Sequence, residues 1–381
     1  MAAPVEPGIA QGMPGVTPDP GAASTEAAVS SVPAGPPSGI ALILPSKAAG
    51  FKAPAEAARK GFMAARGISV DKPVVTVLET DGSAAGAVAA YRQALAANVA
   101  VVVGPLTKTE AAAVQNEPIR VPTLMLNTPD GTLNPVHGLY ALSLSVELEA
   151  KAAAEAVFRP EASTAVVITM PAPLSKRSGA AFSDAWTKLG GTVKDTIEYS
   201  GNPVKIKRAV ERARSEVVFL ATDADRARVI RPFLGRNQTI IATSQVYAMP
   251  RPEGPAALAG HDELLKINDL NGLRFIDMPW LHQPDHTAVM VYPHPNPPLS
   301  ADQERLYALG IDAFRVAEQL AKKRDTFDLD GVIGKLSVHQ GLIGRAPIEA
   351  EYRDGAPVTL SDAVLAHGDA GGDGTPAGAA R

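Results

Sequence analysis

Residues 99–110 read VAVVVGPLTKTE. Five residues of Val and Ala run into Gly104-Pro105, and Thr107 with Glu110 then forms a capping box that opens a helix. An apolar run without polar alternation is a strand buried on both faces, and the turn after it delivers the chain straight into a covering helix. The same outline recurs on either side. Residues 40–45 (IALILP) read as a strand, 54–66 as a helix, 74–79 as a strand and 83–97 as a helix. A short helix at 107–116 and strands at 123–127 and 140–145 complete the series.

The alternation then restarts. Residues 146–158 are helical, 164–170 (TAVVITM) form a strand, and 176–189 form a helix closed by Gly190-Gly191. A strand follows at 193–199, and Asn202-Pro203 starts a helix that runs to Arg214. Residues 217–221 form a strand, Asp223 caps a helix to Leu234, and 239–243 form another strand. Two successive series of similar size predict an α/β protein with two lobes, each a doubly wound, mostly parallel sheet with helices on both faces. The last third is less repetitive. Residues 273–280 look extended, 282–300 are proline-rich, and Ser300 with Gln303 caps a long helix to about Lys323. Two short strand-like pieces follow near 334–338 and 348–352.

Crossings between lobes are expected near Ser145, Trp280 and Leu329, which makes each lobe discontinuous in sequence. The first would comprise residues 39–145 plus 281–327 and the second 146–280 plus 328–360. Residues 1–38 hold 8 Pro and 5 Gly among Ala, Ser and Thr. They offer too little apolar surface to offset the entropy of ordering, and are expected to be a flexible Pro/Gly/Ala-rich tether. Residues 361–381 are expected to be a similar tail.

Composition excludes several kinds of chemistry. The 381 residues carry 36 Lys+Arg against 40 Asp+Glu, a formal net charge of −4, which is no basis for a nucleic-acid partner. Aromatics at 5% leave little for base-stacking platforms. With no cysteine, thiolate zinc sites, iron–sulfur clusters, disulfides and thiol nucleophiles are all absent. No G-x-G-x-x-G, Walker loop, G-x-S-x-G or H-E-x-x-H occurs. Ser69-Val70-Asp71-Lys72 matches S-x-x-K formally, but it joins a helix end to a strand start at the wrong edge of the sheet. His282, His286 and His294 lie close to Asp285 in a proline-rich stretch, and are read as a solvated loop rather than metal ligands. Neither a catalytic residue nor a cofactor or metal is expected.

In a parallel sheet the loops at the carboxyl strand ends line the ligand crevice. Those ends carry Ser46, Lys47, Leu106, Thr107, Asn127 and Thr128 in the first series, and Met170, Asp223, Ser244 and Gln245 in the second. These ten residues form the candidate rim of a cleft between the lobes, able to take a small polar ligand.

Several phrases taken together resemble one family. They are residues 40–45 (IALILP), 102–108 (VVGPLTK), 121–127 (VPTLMLN), 180–191 (AAFSDAWTKLGG), 217–221 (VVFLA), 228–234 (RVIRPFL), 242–244, 270–281 (LNGLRFIDMPWL), 305–317 (RLYALGIDAFRVA) and 334–350. They are similar to the LppC/LpoA-like penicillin-binding protein activators. The specific phrases are F-x-D-x-P-W (Phe275, Asp277, Pro279, Trp280) and the R-L-Y-A-L-G-I-D-A stretch at 305–313. The resemblance implies a type I periplasmic binding protein fold and a non-enzymatic regulator that binds a bifunctional peptidoglycan synthase. It also implies a periplasmic lipoprotein associated with the outer membrane, although a signal peptide and lipobox cysteine are absent from this sequence. The alternative reading is a periplasmic receptor for a small polar solute such as an amino acid.

Overall fold

The computed structural model describes residues 35–129, 136–235, 237–247, 268–339 and 341–361. Most of the expected tether and nearly all of the expected tail lie outside the described residues. The first series gives β1 (Ile40–Leu44), α1 (Lys52–Ile68), β2 (Val75–Glu79), α2 (Ala84–Ala96), β3 (Val101–Val103), α3 (Lys108–Val114), β4 (Thr123–Met125) and β5 (Leu139–Ala141). The second gives α4 (Val146–Val157), β6 (Thr164–Thr169), α5 (Pro173–Lys188), β7 (Thr192–Glu198), α6 (Pro203–Ala213), β8 (Val217–Ala221), α7 (Ala224–Ile230) and β9 (Thr239–Ala242). Then come β10 (Leu273–Asp277), two single turns α8 (Pro279–His282) and α9 (Thr287–Met290), the long α10 (Ala301–Ala321), and β11 (Thr326–Asp330), β12 (Lys335–His339), β13 (Leu342–Ala346), β14 (Ile348–Arg353) and β15 (Ala356–Ser361).

The first sheet has the order β2-β1-β3-β4-β5, parallel throughout. The second runs β7-β6-β8-β9-β10 in the same winding, then adds β14 and β15 antiparallel at its far edge. Side-chain alternation along each strand shows why helices cover both faces. Ile40, Leu42 and Leu44 point into a core with α1 and α10, whereas Ala41 and Ile43 point into one with α2. In the second sheet Val166 and Ile168 face α6 and α7, whereas Ala165 and Val167 face α4 and α5. Strands apolar on both faces can be satisfied only by two helical layers.

Helices α1 and α10 pack at close range because each offers a glycine. A Cβ on Gly61 would lie 1.8 Å from the Tyr307 carbonyl oxygen, and one on Gly310 would lie 2.0 Å from that of Ala58. Gly104 has φ +98°, and a Cβ there would meet the Ile43 carbonyl oxygen at 2.1 Å, so the turn after β3 admits only glycine.

The region after α10 holds more structure than the sequence reading expected. Five strands stand where two short pieces were anticipated, and three of them form a separate antiparallel sheet, β11-β12-β13. Phe327, Leu329, Leu336, Val338 and Ile343 from this sheet pack on the first core, and only β14 and β15 join the second sheet. Residues 328–346, expected with the second lobe, therefore lie with the first, because short alternating strands carry no signal for which core they cover.

Candidate functional site

The carboxyl ends of β1, β3 and β4 bring part of the expected rim together. Leu106 is buried in the first core. The Thr107 hydroxyl accepts from the Glu110 backbone N–H (3.2 Å) and donates to the Glu110 carboxylate (2.9 Å), which also accepts from Thr80. Asn127 donates from Nδ2 to the Leu106 carbonyl (3.1 Å), while its Oδ1 accepts from the Thr128 N–H (3.0 Å) and lies 3.4 Å from the Ser143 hydroxyl. Ser46 is half-buried beside the Leu44 carbonyl, and Lys47 is exposed and sits apart, in a groove with Thr80 and Asp81.

In the second lobe the Met170 N–H donates to the Ser175 hydroxyl (2.6 Å), which donates to the Ala221 carbonyl (2.6 Å) and ties the ends of β6 and β8. Met170 itself is buried in the second core. Asp223 is exposed, caps α7 and pairs with Arg226 at 2.7 Å. Ser244 is buried and Gln245 half-buried. The side chains of Thr107 and Asp223 are thus engaged in capping contacts, and that of Asn127 in bonds to the backbone of Leu106 and Thr128.

The strongest constellation lies beside this rim and was missed as a site by reasoning from sequence. Asp277 ends β10 and is fully buried; Arg305, one turn into α10, is 5% exposed. Arg305 Nε donates to Asp277 Oδ1 (3.1 Å) and Nη2 to Oδ2 (2.9 Å), a two-pronged match of guanidinium to carboxylate. Nη2 also donates to the Ser244 carbonyl (2.9 Å) and Nη1 to Asp302 (2.9 Å). His282 Nε2 lies 2.9 Å from Asp277 Oδ2, with its ring against Tyr247 and Phe275. Burial alone would raise the Asp277 pKa, yet the Arg305 charge and the His282 and Arg305 hydrogen bonds outweigh it and hold the carboxyl well below the usual range. For Arg305 burial works against the charge and Asp277 outweighs it, so the guanidinium stays protonated.

This clasp joins the two lobes, because α10 belongs to the first core whereas Asp277 and Ser244 stand at strand ends of the second sheet. Alongside it, Trp280 Nε1 donates to Glu304 (2.8 Å), and the Trp280 ring packs on Tyr307 and His294. The two phrases that carry the family resemblance are therefore one physical unit. One histidine corrects the solvated-loop reading: the His282 side chain is 2% exposed and belongs to the clasp, whereas His294 is exposed with its ring on Trp280, and half-buried His286 caps α9 and lies 3.6 Å from Asp330. Among the described residues no group of three or more His, Asp or Glu could hold a metal ion. Charged residues at 305 and 312, seven apart and on the same face of α10 as Leu309, were the available signal that this helix face carries more than apolar packing.

A cavity of about 850 Å³ lies between α4 and β12–β13, bordered by the end of β5. Of the ten rim residues only Thr128 lines it. Glu149, from the first turn of α4, accepts from the Ser244 N–H (3.1 Å) and stands 3.7 Å from Arg345 of β13. Burial pushes the Glu149 carboxyl up, and it lowers the Arg345 pKa.

Two lobes with the same 2-1-3-4-5 winding, interleaved in sequence and joined at their strand ends, define a type I periplasmic binding protein-like fold. The chain belongs to the LppC family: residues 27–355 match the family described as "LppC putative lipoprotein". It is 23% identical over 338 residues to the penicillin-binding protein activator LpoA of Aliivibrio fischeri, covering 80% of this chain and 54% of that protein. The chain thus spans about half the length of the curated relatives it matches. Among solved structures, the "LpoA (YraM) C-domain from Haemophilus influenzae, a regulator of PBP1A" superposes with a TM-score of 0.67 at 24% identity, covering 85% of this chain and all of that one. A "putative branched-chain amino acid ABC transporter" from Chromobacterium violaceum gives a TM-score of 0.68 at 31% identity, covering 82% of this chain and 99% of that chain. No described helix is long and apolar enough to cross a membrane.

Proposed function

We propose that this chain is a non-enzymatic regulator of peptidoglycan synthesis that acts by contacting a bifunctional penicillin-binding protein. It would work in the periplasm, held at the outer membrane by a lipid anchor. The observation that carries this reading is the buried Arg305–Asp277 clasp between the lobes. A solute receptor works by opening and closing its lobes around a ligand. A two-pronged ion pair buried across the lobe junction resists opening, because separation would strand both charges. The rim points the same way at Thr107, Asn127 and Asp223, whose polar groups are turned to the chain's own backbone and caps. Such a protein presents a fixed surface, which suits recognition of another protein. The LpoA relatives and the lipoprotein description of the family support the partner and the location.

The second reading, a solute receptor, is favoured by one observation, the 31% identity to the Chromobacterium violaceum protein over 99% of its length. One pair of experiments separates the two. The immobilised chain should retain a bifunctional penicillin-binding protein saturably at micromolar concentration, and branched-chain amino acids should leave its melting temperature unchanged. A ligand at 100 times its Kd stabilises by about 2.7 kcal/mol, which a thermal shift reads easily. Loss of synthase retention together with such a shift would replace the regulator by the receptor.

A further inference from the structure

Strand β7 closes the second sheet, and its outer edge is open. It pairs with β6 alone, and among the described residues the backbone groups of 193–198 make no hydrogen bond beyond that pairing. A register shift leaves Lys194 without a partner on β6, and a charged bulge of this kind protects the amino-terminal half of the edge. Residues 195–198 then run in regular register, and the Tyr199 N–H continues the pairing by donating to the Thr169 carbonyl (2.8 Å). These five residues offer an open edge of about 16 Å.

Beside this edge lies a groove of about 960 Å³, walled by Ile197, Glu198 and Ser200 on one side and by α6 on the other. Residues 203–214 carry five cations against a single carboxylate, Glu211, in a chain whose formal net charge is −4. Ile206 and Val210 are buried in the second core, which turns Lys205, Arg208 and Arg212 outward into the groove at spacings of three and four residues. Together with Arg214 at the helix end, these three make no ion pair or side-chain hydrogen bond among the described residues. The two acids of the lining are already engaged, Glu198 with Lys176 at 2.8 Å and Glu211 with Lys207 at 3.9 Å. Cations gathered without counter-charges repel one another, and a negatively charged partner relieves that repulsion.

We propose that β7 and α6 together bind an acidic segment of a partner protein, which adds to the sheet as a further strand on the open edge of β7. Its backbone would pair with 195–199 while alternate carboxylates reach the cations of α6. The spacings match, since residues two apart in a strand are about 6.8 Å apart and residues four apart on a helix about 6 Å. A membrane surface suits the site less, because the feature is a groove beside an unpaired strand edge. For insertion among lipid tails α6 offers Val204, and it otherwise turns charge outward. The groove shares no residue with the interlobe rim or with the 850 Å³ cavity. The proposal deepens the regulatory reading and rests on it for which protein brings the segment.

The test titrates the full chain, labelled with nitrogen-15, with a peptide of about eight residues that alternates Glu and Thr and is blocked at both ends. One companion carries Gln for every Glu; the other keeps the charge but has Pro at its centre, which cannot donate to a strand ladder. The Glu–Thr peptide should bind with shifts centred on 192–214, and both companions at least tenfold more weakly. Arg208→Glu/Arg212→Glu, at two exposed positions, should weaken the Glu–Thr peptide at least tenfold. Equal affinity for either companion, unchanged binding by the double variant, or no binding at millimolar peptide would overturn the proposal. So would adsorption to phosphatidylglycerol vesicles that the double variant loses while the peptide stays unbound, which assigns the face to a membrane. Synthase retention by the unaltered chain is read separately, so failure here leaves the regulatory reading standing, and loss of retention leaves the peptide result unaffected.

Discussion

Replacing Arg305 by Met removes the cation from the lobe junction while keeping an unbranched apolar stem. Two charge-assisted hydrogen bonds to Asp277 are lost, at 3.1 and 2.9 Å, along with the bond to the Ser244 carbonyl. Charge-assisted bonds contribute roughly 1.5–3 kcal/mol each, and breaking one partner of a buried ion pair costs about 3–5 kcal/mol. The two routes converge on a loss of about 4 kcal/mol, because Asp277 stays fully buried with His282 as its remaining side-chain partner. Against a typical stability of about 5–15 kcal/mol such a loss is large. Urea unfolding followed by circular dichroism measures it directly. The double variant Arg305→Met/Asp277→Leu should recover more than half of the loss, since an apolar pair of similar volume leaves no buried charge. A single-variant loss below about 1 kcal/mol, or additive losses in the double variant, would show that the pair is not the clasp described here.

Other consequences follow from the same geometry. The Asp277 carboxyl has its folded pKa depressed below the ordinary value of about 4, so its contribution is complete above that value and fades as pH falls through the depressed one. The cost of Asp277→Asn should therefore be greatest at pH 7 and shrink below about pH 4; equal costs at neutral and strongly acid pH would contradict the assignment. Gly310→Ala places a Cβ 2.0 Å from a backbone oxygen of α1 and should cost roughly 3 kcal/mol or more in unfolding experiments, whereas a neutral outcome would mean that the helices can part. Thr107→Ala removes the α3 cap and one of the hydroxyls that Glu110 bonds, a loss of about 1–2 kcal/mol by denaturant titration.

The parallel core was legible because its signal is local. Runs such as 40–44, 101–103 and 217–221 are apolar at every position, and caps at Ser83, Thr107, Asn202, Asp223 and Ser300 announce the helices within four residues. The clasp was not legible, because Asp277 and Arg305 are 28 residues apart and each reads locally as an ordinary polar residue at an element end. The phrases around them carried the family resemblance without revealing that they touch. His282 was misjudged for a related reason: its proline-rich surroundings suggest exposure, while a single helical turn folds its ring back onto Asp277. In β11–β13 the apolar residues alternate with polar ones, as in KLSVH, so the sequence shows a strand without showing which core it covers.

The regulatory account is tested most directly by the rate at which a bifunctional penicillin-binding protein polymerises and cross-links glycan strands with and without this chain. A saturable change in rate at micromolar chain, undiminished by added amino acids, is the predicted result. A rate that stays the same at every concentration, with no complex formed, would contradict it.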